Sequence, residues 1–187
     1  MFDHIIENLA KKNIDSIQVK TREDAIQKIE EIIPLKSSIG FGWSRSLEDI
    51  GILNVLKWWN YTLFDRTIFP KWSPEARQMM LNSQHADFFL WSCNAITQEG
   101  QLIFWETNGN RISSIIYGPN KIILIIWKNK VVENIEKWFE RVNYVAEQIA
   151  KRLEKTIEDI LCYKVIIEKQ WHPNRMFVVF VDENLWT

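Results

Sequence analysis

Cysteine is nearly absent from this chain: Cys93 and Cys162 are the only two among 187 residues. Two thiols without CxxC spacing make neither a disulfide framework nor a cysteine-rich zinc site, and they read as reduced, partly buried side chains. Charge of one sign is lacking too. Lys and Arg number 23 against 24 Asp and Glu, a net charge of −1, and the basic residues are scattered. Binding a polyphosphate by counterion release needs a basic stripe, so nucleic acid is not an expected partner. The longest apolar run, Ile122 to Trp127, falls far short of the roughly 18 residues of a membrane span. Met1 to Lys12 lacks the basic-then-apolar order of a secretory signal, so the expectation is a cytoplasmic protein with no membrane association.

What is present fits an ordinary globular chain. Hydrophobic residues make up 47% and charged residues 25%, which is neither disordered nor membrane-like. The length suits one core, so residues 1–187 are read as a single domain, since domains usually run to ~100–200 residues. Ten tryptophans stand out. Aromatic surface of that size is usually hidden in a core or at an interface, including one between copies of the same chain. A base-stacking platform would need basic residues interleaved with the rings, and these are sparse.

Apolar periodicity switches between the helical and the extended type along the chain, the pattern of βα units around a largely parallel sheet flanked by helices. Helices are predicted over about Phe2–Lys12, over Arg22–Ile33 with Pro34 as the stop, and from Ser46 towards Trp58 on the Ser46/Asp49 capping-box spacing. Ser73 before Pro74 predicts another, running to about Gln84, and a long amphipathic one covers Val131 to about Lys155. Strands are predicted at Ile17–Val19, Ser38–Gly42, Tyr61–Asp65, Ala86–Trp91 and Lys121–Trp127. Asn94–Thr97 and Gln101–Trp105 flank a Glu99-Gly100 turn and predict a hairpin. Tyr163–Glu168 and Met176–Val181 predict a C-terminal antiparallel hairpin.

Two turns carry candidate chemistry. In Gly40-Phe41-Gly42-Trp43-Ser44-Arg45-Ser46 a strand runs through glycines into a capped helix. Exposed amides there face the ligand crevice of an α/β sheet, with Gly42, Ser44 and Ser46 as candidates. The pattern alone leaves a plain strand-to-helix turn open, because the dinucleotide fingerprint is absent. In Glu106-Thr107-Asn108-Gly109-Asn110-Arg111, Asn108, Gly109 and Asn110 turn the backbone sharply, and Arg111 offers a planar fork for a carboxylate or phosphate. A polar turn with an outward Arg is the plainer alternative. Asn94, after a very apolar strand, either aims its amide at the same crevice or fastens a loop. Of the acid–base candidates Asp65, His85, Asp87 and Glu106, no spacing singles out a pair. His4 and His172 have no second metal ligand beside them. No metal and no cofactor is predicted.

The tract Ala86-Asp87-Phe88-Phe89-Leu90 … Asn94-Ala95-Ile96-Thr97-Gln98-Glu99-Gly100, then Asn108-Gly109-Asn110-Arg111 and Gly118-Pro119-Asn120-Lys121, resembles the LUD domain, the lactate-utilisation family, in its short stand-alone form. The ending fits as well, through Val165-Ile166-Ile167-Glu168-Lys169, Val178-Val179 and Glu183-Asn184-Leu185, so the likeness spans essentially the whole chain. The resemblance implies a fold like that of the sugar-phosphate isomerases and CoA transferases, with the site at the loops after the parallel strands. It implies a part in oxidising L-lactate to pyruvate alongside iron–sulfur partner proteins, with a small anionic ligand. By matching positions it adds Gly42, Ser44, Asn94, Gly109, Asn110 and Arg111 to the site, with Glu48 and Gly51 following the first turn. Glu106 is the carboxylate that would take a proton. Two positions depart from the pattern. Trp43 stands where relatives commonly show a second glycine, and Cys162 alone remains of a cysteine-rich stretch common in short-form relatives, which argues against a cluster held by this chain. If Trp43 filled the pocket, a non-catalytic assembly or regulatory subunit would be the alternative; an independent isomerase or ligase is a third.

Overall fold

The computed structural model describes residues 2–58 and 60–184; Leu185, quoted above with the resemblance, lies outside them, as does Met1. Six parallel strands form the main sheet: β1 (Ile14–Val19), β2 (Ser38–Phe41), β3 (Thr62–Phe64), β4 (Phe88–Trp91), β7 (Lys121–Trp127) and β10 (Met176–Val181), in the order β1-β10-β7-β4-β2-β3. A second, mixed sheet is built from β5 (Ala95–Thr97), β6 (Leu102–Glu106), β8 (Val131–Val132) and β9 (Tyr163–Ile167), in the order β8-β5-β6-β9. The expected α/β class with a largely parallel sheet is what the chain forms.

A parallel sheet must be covered on both faces, and its central strands β4, β7 and β10 are apolar on both. Along β7, Ile122, Leu124 and Ile126 join one core while Ile123, Ile125 and Trp127 join the other. One face carries α2 (Arg22–Ile32), α3 (Arg45–Ile50) and α4 (Ile52–Trp58). On the opposite face lie α1 (Asp3–Lys11), α6 (Asn110–Tyr117) and the second sheet. The second sheet is sandwiched in turn: Leu102 and Phe104 point to the main sheet, while Ile103 and Trp105 pack on Trp138 and Val142 of α7 (Ile135–Leu153). Helix α5 (Pro74–Ser83), opened by Ser73 as its cap, presses Ser83 onto β2 at Gly40, where an added Cβ would come within 2.6 Å of Ser83 Cβ. No helix among the described residues is long and apolar enough to cross a membrane.

Three expectations need correction. The last two strands are not a hairpin: β9 pairs antiparallel with β6 at the edge of the small sheet, whereas β10 lies parallel between β1 and β7. The reason is visible in their side chains, since β10 is apolar throughout and buried on both faces, while β9 is exposed over most of its length. The helix after Gly42 is capped by Ser44, whose hydroxyl accepts from the Leu47 amide, and not by Ser46; a left-handed Gly51 separates α3 from α4. The long helix starts only at Ile135, capped by Asn134, because Val131 and Val132 are taken up as β8 beside β5.

Candidate functional site

The order of the strands fixes where a ligand crevice opens. From β2 the chain passes through α3 and α4 on one face to β3 at the sheet edge; it then returns through α5 on the other face to β4, on the opposite side of β2. The connections leaving β2 and β4 therefore diverge, and the gap outside their carboxyl ends is the usual binding position in open α/β sheets. Gly42 and Ser44 leave β2 there, Ser92 to Asn94 leave β4, Arg66 follows β3, and Lys130 follows β7.

Arg111 enters this crevice from the start of α6. Its Nε is paired with Glu106 Oε1, and its Nη1 donates to the Trp43 carbonyl at 3.1 Å. Its guanidinium carbon lies 4.9 Å from the centre of the Trp91 ring, which stacks in turn on Phe104. Gly42 makes this approach possible, because a Cβ there would stand 2.6 Å from Trp91 Cδ1 and 3.0 Å from Arg111 Cδ. Glu106 is 1% exposed, and its Oε2 accepts from the Arg111 and Ile112 amides at 2.9 and 3.0 Å. The carboxylate thus caps α6 and orients Arg111, an anchoring arrangement.

A second cation stands near without a partner. Arg66 is half-buried, and its guanidinium makes no hydrogen bond or ion pair among the described residues. Burial, then the like charge of Arg111, pulls its pKa down, with Glu106 and Asp65 opposing. Behind the crevice wall, Lys130 is buried and donates to Ser46 Oγ and Ser92 Oγ at 2.7 Å each and to the Cys93 carbonyl at 2.9 Å. Burial lowers its pKa to about 8 and pushes the neighbouring Cys93 thiol up to about 12. Arg141 of α7 reaches in as well, donating to the Asn94 carbonyl at 3.5 Å.

Of the residues expected at the site, Gly42, Ser44, Arg111, Asn94 and Ser46 are at or directly behind this crevice. Ser44 is spent on its helix cap and Ser46 on Lys130. Asn94 fastens a loop through Oδ1, which accepts from Trp105 N at 2.9 Å, and its Nδ2 has no bonded partner among the described residues. Asn108, Gly109 and Asn110 form the turn itself: Asn108 Oδ1 accepts from Asn110 N at 3.2 Å, and Gly109 is left-handed with φ 82°. These three border a separate surface groove of about 580 Å³ between α5 and α6, with Met80, Leu81 and Ile112 in its lining. The Trp43 indole does not lie on Arg111. It is 40% exposed and donates to Glu48 Oε1 at 2.8 Å, which gives the filled-pocket alternative no support.

Sequence reasoning missed Arg66, Lys130 and Arg141. Lys130 sits in Lys128-Asn129-Lys130, which reads as a solvated turn; the available signal was its place just after the most buried strand of a parallel sheet. Asp65 caps the short turn after β3, accepting from Thr67 N at 2.8 Å, and Asp87 holds Ser38 through both its amide and its hydroxyl. Among the described residues no group of three or more His, Cys, Asp or Glu is placed to hold a metal ion.

No curated protein matches the chain. A solved structure of a DUF162-family protein from Deinococcus radiodurans is similar over 95% of this chain and 93% of that one, with a TM-score of 0.57 and 12% identity, a likeness of fold. The sequence model of the LUD domain matches residues 2–181, which take in every strand of the two sheets and the crevice between their connections, and the chain belongs to the LUD domain family.

Proposed function

We propose that this chain is a lactate-utilisation-type protein that binds a small carboxylate, or a phosphorylated ligand, in the crevice between the β2 and β4 connections. In this reading it serves in the cytoplasm as a subunit supporting oxidation of L-lactate to pyruvate with iron–sulfur partner proteins. The observation that carries the binding step is the charge count at the crevice. Arg66 and Arg111 stand together with two carboxylates, Glu106 and Asp65, but Glu106 is paired with Arg111 and Asp65 with Lys57, so the guanidinium of Arg66 has no bonded partner among the described residues. Three cations with two paired carboxylates leave room for a further anion, which a planar fork takes with two parallel hydrogen bonds. Arg111 is held on Trp91 and by Glu106, and Asn94, whose Nδ2 has no bonded partner among the described residues, would donate to an oxygen next to the carboxylate.

A thermal-shift screen of lactate, pyruvate, sugar phosphates and CoA tests this. A ligand at a hundred times its Kd stabilises by about 2.7 kcal/mol, or roughly 5–10 °C for a chain of this size. Arg66→Ala and Arg111→Ala should each reduce that shift. Equal responses from all three proteins to every anion would remove both arginines from the site.

A further inference from the structure

Lys130 presents a charge problem that hydrogen bonding alone does not solve. Its three N–H donors are matched by three acceptors, Ser46 Oγ, Ser92 Oγ and the Cys93 carbonyl, so no donor is orphaned. All three acceptors are neutral, however, and Lys130 has no carboxylate partner among the described residues. A buried ammonium needs a counter-charge as well as hydrogen bonds. Arg141, whose charge acts on Lys130, makes matters worse, because it is also a cation. Ser46 lies in the first turn of α3, the positive end of that helix, so the helix offers no compensating negative field.

The position of the group shows where compensation can come from. Ser46 belongs to the wall that follows Gly42, and Ser92 and Cys93 to the wall that follows β4. Lys130 therefore ties together the two sides of the crevice from behind. We propose that Lys130 is the buried counter-charge of the crevice anion: a positioning residue that fixes both walls through its three hydrogen bonds and whose positive charge the bound anion balances. The proposal rests on the reading of the crevice as a carboxylate site and adds a residue that touches the ligand only through the walls it holds.

If the anion and the ammonium stabilise each other, each must favour the other's charged form. Anion affinity then falls as Lys130 loses its proton. The groups facing Lys130 are Ser46 from α3, Ser92 and Cys93 from the β4 connection and Arg141 from α7, while Lys128 on its own turn is paired with Asp182. The Cys93 thiol titrates at about 12 and a guanidinium keeps its proton throughout, so Lys130 alone among them changes charge between about pH 7 and 9.5. Pyruvate is a suitable probe because its carboxylate does not titrate in that range.

Isothermal titration of the wild-type chain with pyruvate at several pH values in that window is the test. A weakening of about tenfold towards high pH is expected, the equivalent of one pKa unit of coupling, with proton uptake on binding near pH 8 to 9 seen as a buffer-dependent heat. Lys130→Met should bind at the weak, high-pH level at every pH; should it fail to fold, the wild-type series and the proton count decide the matter. Pyruvate binding that stays constant with pH and takes up no proton overturns the role of Lys130 and leaves the arginine site standing. Absence of pyruvate binding at every pH overturns both.

Discussion

Replacing Gly42 with Ala tests the architecture of the crevice with a single methyl group. The new Cβ would stand 2.6 and 2.8 Å from Trp91 Cδ1 and Cγ and 3.0 Å from Arg111 Cδ. The indole cannot swing away, because it is 2% exposed, stacked on Phe104 at 5.1 Å and covered by Arg111 on the other side. The β2 end cannot retreat without giving up the bond from Gly42 N to the Leu90 carbonyl at 2.9 Å. Overpacking of this kind costs about 1–3 kcal/mol, or roughly 3–10 °C in Tm at this size. The flexible partner is Arg111, so the displacement should fall largely on it and weaken pyruvate binding as well. Gly51→Ala is the control: its φ of 78° makes any side chain strained, yet nothing lies within 4 Å of the new atom. It should cost about 1–2 kcal/mol and leave pyruvate affinity unchanged. Scanning fluorimetry and pyruvate titration of the three proteins give the answer. A Gly42→Ala chain that melts within a degree of wild type and binds equally well would show that the contact between β2, Trp91 and Arg111 is not as close as described.

Three further outcomes are expected. Trp43→Phe removes the bond to Glu48 on an exposed ring, so stability should change by no more than about 0.5 kcal/mol and pyruvate binding should persist; loss of binding would return the indole to the site. Hydrogen bonds from the Ser38 amide and hydroxyl hold Asp87 below the usual carboxylate range. Its contribution is therefore present above about pH 4 and disappears as pH falls through its depressed folded value; in urea titrations the gap between wild type and Asp87→Asn should close on acidification. The ligand-free protein should respond oppositely at alkaline pH. With Lys130 at about 8 in the folded chain and near ~10.4 when unfolded, the unfolded state binds more protons in between, so wild type should gain stability relative to Lys130→Met as pH rises through that window. A constant difference would mean that the lysine is not buried as charged.

The parallel sheet was legible because its strands are continuous apolar runs, Lys121–Trp127 above all, and because Ser73-Pro74 marks a helix start and Pro34 a helix stop by local chemistry. The place of β10 was misread although the same rule applied, since pairing partners are set by tertiary packing and Met176–Val181 resembles its neighbour β9 in composition more than in burial. At the site, Arg111 and Gly42 were legible from turn chemistry and likeness to a family. Arg66 and Lys130 were not, because a cation in a short polar turn looks the same whether it faces water or the end of a sheet. Glu106 was found, but its three N–H partners come from Arg111 and Ile112 in the first turn of α6, and only their convergence shows that it anchors Arg111.

The insertion of β10 between β1 and β7 has a bearing on how the chain is made. Ile14 pairs with Met176, and Met176 with Ile122, so β1 is joined to the remaining strands only through residues 176–181. As the chain leaves the ribosome, β2, β3, β4 and β7 can assemble in turn, while the slot beside β7 stays open and β1 has nothing to pair with. Until residue 181 emerges, the edge of β7 and the whole of β1 wait unpaired, the condition in which nascent chains find one another. A chain cut short before Met176 should thus aggregate rather than form a smaller version of the fold, and a chaperone that shields β1 early would raise the yield more than one acting after release.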